Sequence, residues 1–413
     1  MNTGLQAAGI ATSRDNSMFL KDLDARSADI LRAVKGKRVL AIGAAGSIGS
    51  NTVRTIAGFE PRAIHVIDQN ENALAELVRQ LRSAPEPFRV DDFQLLPLDY
   101  GSQLTRSFIA ANGPYDLVLN FAAIKHVRSE KDPFSILQML DTNLVKQARF
   151  LSMLTDLSAK SDYFSVSTDK AANPSSFMGA TKRAMEHVLF SDATASGFNG
   201  RITSARFANV AFSNGSLLQS FENRMARGEP IAAPRDIRRY FVSLEESGHI
   251  CTLASLFLER NRIGVPDLDP DSHLVPLSDV AKGFIAAHGF EPVTYDDESE
   301  ARRAVGDERA KGRWPLLLTP GDTAGEKPYE EFVASGEEVT ETGLSAIRAV
   351  IYKPLAEPAI LSGALSELEA VLADPLAHSE LVDKTALKQL IGRLEPAFLE
   401  SHVESALNLD QRV

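Results

Sequence analysis

Apolar residues along this 413-residue chain follow two rhythms. Phe19, Leu20, Leu23, Ile30 and Leu31 recur at helical spacing within 17–35, which predicts a short leading helix behind a polar, patternless stretch over 1–16. From Arg38 compact apolar runs take over, at 38–43 (RVLAIG), 63–68 (AIHVID), 93–99 (FQLLPLD), 115–123 (YDLVLNFAA), 163–167 (YFSVS) and 201–210 (RITSARFANV). Between them lie amphipathic segments over 47–58, 72–83, 134–157 and 179–191. Strands separated by helix-length segments imply right-handed crossovers and a parallel sheet with helices on both faces. The expected fold is therefore α/β, a Rossmann-type doubly wound parallel sheet.

Past about residue 215 the alternation loosens, with Gly/Pro turns at 228–235 and 264–270, which marks a smaller lobe. Residues 292–312 read as a solvated loop or exposed helix, and Trp314 in RWPLLLT as the anchor of a late strand. Two amphipathic helices are expected over 361–374 and 383–400. The chain thus divides into an N-terminal extension with a helix (1–36), the main domain (37–215), a substrate-binding lobe with returns to the main sheet (216–345) and a helical tail (346–413).

Charge and cysteine content narrow the function. With 44 Lys+Arg against 55 Asp+Glu the net charge is −11, which argues against a general nucleic-acid binder. The single cysteine, Cys251, excludes an internal disulfide framework and a multi-cysteine zinc site. His65, His187, His249, His273, His288, His378 and His402 are scattered without metal-ligand spacing, so no metal site is expected. The first residues lack the basic start and apolar core of a signal peptide, and no stretch reaches the roughly 18 apolar residues of a membrane helix. A soluble, cytoplasmic protein without membrane insertion is expected.

The first apolar run leads straight into Gly43-Ala-Ala-Gly46-Ser47-Ile48-Gly49, a G-x-x-G-x-x-G spacing that opens a helix. Such glycines permit a tight turn and close approach of backbone to a pyrophosphate, whose charge a helix N-terminus stabilises. The second run ends in Asp68, placed where a carboxylate binds the adenosine ribose hydroxyls. Gln69 and Asn70 follow it, with no arginine for a 2′-phosphate, so NAD is favoured over NADP. The alternative is that Asp68 only caps the helix at 72–83.

After the fifth run stands Ser165-Val-Ser167-Thr168-Asp169-Lys170-Ala-Ala-Asn173-Pro174, then Phe177-Met178-Gly179-Ala180-Thr181-Lys182-Arg183. Further motifs are Asn120-Phe-Ala-Ala-Ile-Lys125-His126-Val127, Asp141-Thr-Asn143, Arg206-Phe-Ala-Asn209-Val, Arg239-Tyr240-Phe241 and Gly325-Glu-Lys327-Pro-Tyr329-Glu-Glu331. In this order, over about 37–335, the chain resembles the extended short-chain dehydrogenase/reductases, and among them the bacterial nucleotide-sugar 4,6-dehydratases of polysaccharide biosynthesis. The resemblance places Thr168 at the hydroxyl position of the superfamily triad and makes Lys182 the lysine that holds the nicotinamide ribose. It also implies cofactor contacts at Asp99, Tyr100, Ala122 and Ala123. The tyrosine of the motif is replaced by Met178, whose thioether can neither give nor take the C4 hydroxyl proton.

Such an enzyme oxidises C4 of the sugar, eliminates water across C5–C6 and returns the hydride to C6. The resemblance implies Lys170 as base at C5 and Asp169 as acid at the C6 hydroxyl; with Met178 in place, the hypothesis for C4 is that Asp169, or a water relayed through Thr168, takes its proton as well. Lys125, His126, Arg238 and Arg239 are candidates for sugar and phosphate contacts, and Asn209, Ser216 and Leu217 for the nucleotide pocket. The substrate implied is UDP-N-acetylglucosamine or a related UDP-N-acetylhexosamine. A 4-epimerase on the same scaffold, or a catalytically silent NAD-binding subunit, are the alternatives. By analogy the helices at 134–157 and 181–192 form a four-helix contact in a homodimer or larger homo-oligomer.

Overall fold

The computed structural model describes residues 9–84, 88–125, 130, 132–157, 160–191, 197–321 and 327–402. Helix α1 (Leu20–Val34) leads into β1 (Arg38–Ile42), α2 (Ser47–Ala57), β2 (Ala63–Ile67), α3 (Glu71–Arg82), β3 (Asp92–Leu96), α4 (Gln103–Asn112), β4 (Leu117–Asn120), α5 (Pro133–Leu140), α6 (Lys146–Asp156), β5 (Asp162–Thr168), α7 (Phe177–Phe190) and β6 (Ile202–Phe207). Then come α8 (Leu217–Arg227), β7 (Ile231–Pro234), α9 (Leu244–Phe257), β8 (Arg262–Pro266), α10 (Leu277–Ala287), β9 (Glu291–Tyr295), α11 (Glu298–Ala310), β10 (Arg313–Thr319), β11 (Glu338–Glu341) and β12 (Ile347–Ile351). The tail is α12 (Pro358–Ala373), α13 (Lys384–Leu394) and α14 (Pro396–Ser401).

Nine strands form the main sheet in the order β11-β12-β8-β6-β5-β4-β1-β2-β3. Pairing is parallel from β3 to β8, and β12 and β11 close that edge antiparallel. The run 3-2-1-4-5-6 is the Rossmann order, with its switch point between β1 and β4. Every residue of β2, β4 and β6 is buried, because helices cover both faces. On one face α9 presses on α2 at Gly248, where a Cβ would lie 2.7 Å from the Asn51 backbone.

A second, parallel sheet runs β9-β10-β7 and buries Trp314, whose Nε1 donates to the Glu229 carbonyl at 3.1 Å. Segment 292–312 differs from the loop reading, since Glu291–Tyr295 is a strand and only Glu298–Ala310 is the exposed helix. Half-exposed at its sheet edge, β9 has no apolar run to announce it. The single helix expected over 134–157 is also divided, because Asp141–Val145 forms a π turn between α5 and α6.

Helices α12 and α13 pack on α5, the π turn and α7. Arg149 of α6 meets Glu369 of α12 at 2.8 Å. The tail therefore covers part of the helices to which analogy assigns a partner subunit. Among the described residues no helix is long and apolar enough to cross a membrane.

Under α7 lies a buried ion network. Arg206, the only charged residue in β6, is fully buried and grips Glu186 of α7 through Nε–Oε1 at 2.8 Å and Nη2–Oε2 at 2.6 Å. It also donates to Glu337 and to the Phe332 carbonyl, while Ser167 of β5 donates to Glu186 at 2.6 Å. Burial would raise the Glu186 pKa, but Arg206, Arg183 and Ser167 hold it at about 2. Arg183 extends the network to Glu337 and Glu395, and His187 bridges Glu395 and the Tyr352 hydroxyl, each at 2.9 Å. Arg206→Met leaves two carboxylates short of a cation and is expected to cost about 3–5 kcal/mol in urea unfolding. Arg206→Met with Glu186→Met should recover much of that loss. A single-variant cost below about 1 kcal/mol contradicts this account of the network.

Candidate active site

Three chain segments meet at the carboxyl ends of β1, β4 and β5. The glycine loop turns at Gly43, whose φ is +64° and whose Cβ would lie 2.5 Å from the Ala122 nitrogen, so only glycine lets the loop rest on the end of β4. Gly49 packs α2 on Ala44 and Phe121, with a Cβ only 2.4 Å from the Ala44 Cα. Gly46 caps α2 without a side-chain hydrogen bond, and the first turn, with Ser47 and Ile48, holds no acidic residue, an arrangement suited to an anion.

Asp68 does not cap α3; Asn70 does, accepting from the Ala73 nitrogen at 3.0 Å. Asp68 Oδ2 instead accepts from the Ala45 nitrogen at 3.1 Å, which fixes the carboxylate beside the glycine loop. Asp99 is engaged by Lys146 and by the Gly101 nitrogen; burial would raise its pKa, and these donors lower it. The Tyr100 hydroxyl is buried and donates to the Thr142 carbonyl. Ala122 and Ala123 continue β4 toward exposed Lys125, and His126 lies outside the described residues.

The π turn carries Asn143, a residue that sequence reasoning quoted in a motif without giving it a role. Its side chain accepts from the Ile124 nitrogen at 3.0 Å and donates to the Ile124 carbonyl and to Thr181 Oγ1, each at 3.1 Å. It thereby latches the loop after β4 to α7. A π turn often marks a functional position, and no sequence pattern announces one.

At the end of β5, Thr168 Oγ1 donates to Asp169 Oδ1 at 2.8 Å, and Lys170 donates to the same oxygen through its backbone nitrogen at 2.8 Å and Nζ at 3.1 Å. Ser176 caps α7 by accepting from the Gly179 nitrogen. Gly179 lets the helix sit on the Lys170 carbonyl, where a Cβ would stand 2.6 Å away. Lys182 is buried and donates to the Val166 carbonyl at 2.6 Å; burial, offset in part by Glu186, lowers its pKa to about 8.

Glu330 is the second residue sequence reasoning missed. It is 3% exposed and 4.0 Å from Lys170 Nζ, although GEKPYEE suggested only a low-ranking loop. Arg239 is buried and donates to the Arg238, Lys327 and Pro328 carbonyls, so it holds this loop. Arg238 is exposed and donates to the Leu274 carbonyl. Asn209 Nδ2 is buried without a hydrogen-bond partner among the described residues. Ser216 caps α8 next to half-exposed Leu217, and the Asn214 nitrogen donates to Ser47 at 2.9 Å, which brings this corner to the glycine loop. A cleft of about 750 Å³ at the opposite edge, lined by Arg38, Arg62, Asp92 and Tyr115, faces the amino ends of the strands, where ligands of such sheets do not bind.

The tail reaches the same segment. Ser401 donates to the Pro174 carbonyl at 2.6 Å, His402 Nδ1 lies 2.9 Å from the Ser175 carbonyl, and Phe398 packs edge-on against Phe177.

Fold and glycine loop together define an extended short-chain dehydrogenase/reductase. The chain belongs to the polysaccharide biosynthesis protein family, which matches residues 39–351. It is 27% identical over 313 residues to the Bacillus subtilis protein described as "Probable polysaccharide biosynthesis protein EpsC", covering 75% of this chain and 47% of that one. The chain thus spans about half the length of that relative. Among solved structures it resembles Pen from Bacillus thuringiensis (TM-score 0.62, 22% identity, 78% of this chain and 90% of that). It also resembles the UDP-N-acetylglucosamine 4-epimerase of Methanobrevibacter ruminantium M1 in complex with UDP-N-acetylmuramic acid (TM-score 0.52, 15% identity, 73% and 91%). At these identities the likeness shows the fold.

Glu130 sits beside Met178, accepting from its nitrogen at 3.0 Å, and burial raises its pKa from 4.5 to about 7. The folded protein then holds a proton that the unfolded chain releases at lower pH, so the group destabilises the fold as pH rises through that window. Glu130→Gln should gain about 3 kcal/mol relative to wild type between pH 4.5 and about 7, read from urea midpoints. A constant difference across that range contradicts it.

Proposed function

We propose that the chain is an NAD-dependent nucleotide-sugar 4,6-dehydratase acting on a UDP-linked N-acetylhexosamine, UDP-N-acetylglucosamine first among them, for surface polysaccharide assembly. The observation that carries this reading is the hydrogen-bonded Thr168–Asp169–Lys170 group, centred on buried Asp169, at the carboxyl end of β5. An epimerase needs no acid and base at C5 and C6 and relies on the tyrosine that Met178 replaces. The family and the nucleotide-sugar epimerase of like fold support the substrate class.

The residues present fit a dinucleotide. Gly43 lets the loop rest on the end of β4, the start of α2 without a side-chain cap suits the pyrophosphate, and Asp68 suits the ribose hydroxyls of NAD. Held there by the glycine loop, the start of α2 and Asp68, NAD would supply the hydride acceptor for oxidation at C4 and the hydride donor for C6. Thr168 gives its own hydroxyl proton toward Asp169, so its oxygen is ready to accept from the C4 hydroxyl, and the proton moves through Thr168 to Asp169. Lys170 takes the C5 proton, made acidic by the C4 ketone, and later returns one to C5. Asp169 passes its proton to the departing C6 hydroxyl, which leaves as water. Removal and return thus balance without a tyrosine.

Incubation with UDP-N-acetylglucosamine and NAD in deuterated water should give a product lighter by one water and carrying deuterium at C5. Asp169→Asn and Lys170→Ala should each lower turnover by about 10²-fold or more. An isomer of unchanged mass without deuterium favours the epimerase, and variants with intact turnover overturn the acid and base roles of Asp169 and Lys170.

A further inference from the structure

Lys170 lies between two buried carboxylates that differ in their surroundings. Its Nζ stands 3.1 Å from Asp169 Oδ1 and 4.0 Å from Glu330 Oε1, and the two acids are 1% and 3% exposed. Asp169 Oδ1 accepts three hydrogen bonds, from Thr168 Oγ1 and from both nitrogens of Lys170, while its Oδ2 is buried without a partner among the described residues. Glu330 Oε2 is buried without a hydrogen-bond partner among the described residues, and Lys327 Nζ comes no nearer to it than 3.6 Å. A buried carboxyl without donors favours its neutral form. Burial, reinforced by Asp169, raises its pKa against the pull of Lys170, Lys327 and Arg239, which are the charged groups that face it.

A lysine held by a carboxylate rests as an ammonium, whereas abstraction at C5 needs the free amine. We propose that Glu330 is the positioning residue that receives the Lys170 proton and leaves the amine free to act. The inference rests on the dehydratase reading above. One N–H bond of the Lys170 ammonium breaks and one O–H bond forms on Glu330, with no change of oxidation state. The amine then takes the C5 proton and returns one to C5 later, while Glu330 keeps its own throughout.

The loop is built to present this carboxyl. The Arg238 nitrogen donates to the Pro328 carbonyl at 2.8 Å, Arg239 holds the Lys327 carbonyl at 2.9 Å, Lys327 Nζ donates to the Asn173 carbonyl, and Asn173 Nδ2 donates to Glu331 at 2.7 Å. The Asp169–Asn173 turn and the Glu330 loop are thereby tied together.

The test measures C5 deuterium incorporation from neutral to alkaline pH for wild type, Glu330→Gln and Glu330→Asp. Glu330→Gln should lose about 10²-fold at neutral pH and recover as pH rises, while Glu330→Asp keeps the wild-type pH profile at a lower rate. A Glu330→Gln protein with the wild-type profile, or with a loss equal at every pH, overturns the proposal. If wild type neither exchanges C5 nor loses water, the dehydratase reading fails and takes this inference with it; an active wild type with an unaffected variant removes Glu330 alone. Should Glu330→Gln fail to fold, the infrared difference between substrate-free wild type and Glu330→Asp decides. A protonated-carboxyl band that shifts at neutral pH supports the proposal, and the absence of such a difference overturns it.

Discussion

The pairing of Arg206 with Glu186 is the constraint on which the rest of the molecule depends. A guanidinium in the middle of a fully buried strand is tolerable only with carboxylates in bidentate reach, and Glu186 and Glu337 supply them. Because Glu186 belongs to α7, satisfying Arg206 sets the rotation and height of that helix over β5 and β6. Lys182, Met178 and Gly179 ride on the same helix, so the charge network also sets the site. Its outer members, Arg183, His187 and Glu395, carry the constraint into the tail, which then contacts Pro174, Ser175 and Phe177. The tail is joined to this segment by polar contacts as well as by packing.

Four polar and charged side chains converge at the end of β5. Thr168 and Asp169 are adjacent in sequence and linked by a hydrogen bond, Lys170 folds back on the same carboxylate, and Glu330 closes the group from another loop. Lys182 is held under β5 by the Val166 carbonyl.

Much of this was legible in the sequence. Fully buried strands such as β2 and β4 read as unbroken apolar runs, and the glycine spacing located the loop because Gly43 needs positive φ and contact with Ala122. Asp68 left two readings open, and only the position of Asn70 at the helix cap separates them. What escaped has a physical reason in each case. Strand β9 is half-exposed at an edge and carries no apolar signature. The π turn at Asn143 leaves the helical pattern nearly unchanged. Glu330 and Arg239 meet the site through a loop whose path no local pattern predicts, and a buried arginine in a strand looks, in sequence, like any other.

The central claim of the proposed mechanism is that Thr168, Asp169 and Lys170 carry the proton chemistry in place of a tyrosine. The most direct test is the rate of C5 deuterium incorporation from UDP-N-acetylglucosamine in Thr168→Val and Met178→Leu proteins. The mechanism predicts a loss of about 10²-fold for Thr168→Val and a rate near wild type for Met178→Leu. An intact Thr168→Val protein, or a Met178→Leu protein that loses the exchange, would contradict it.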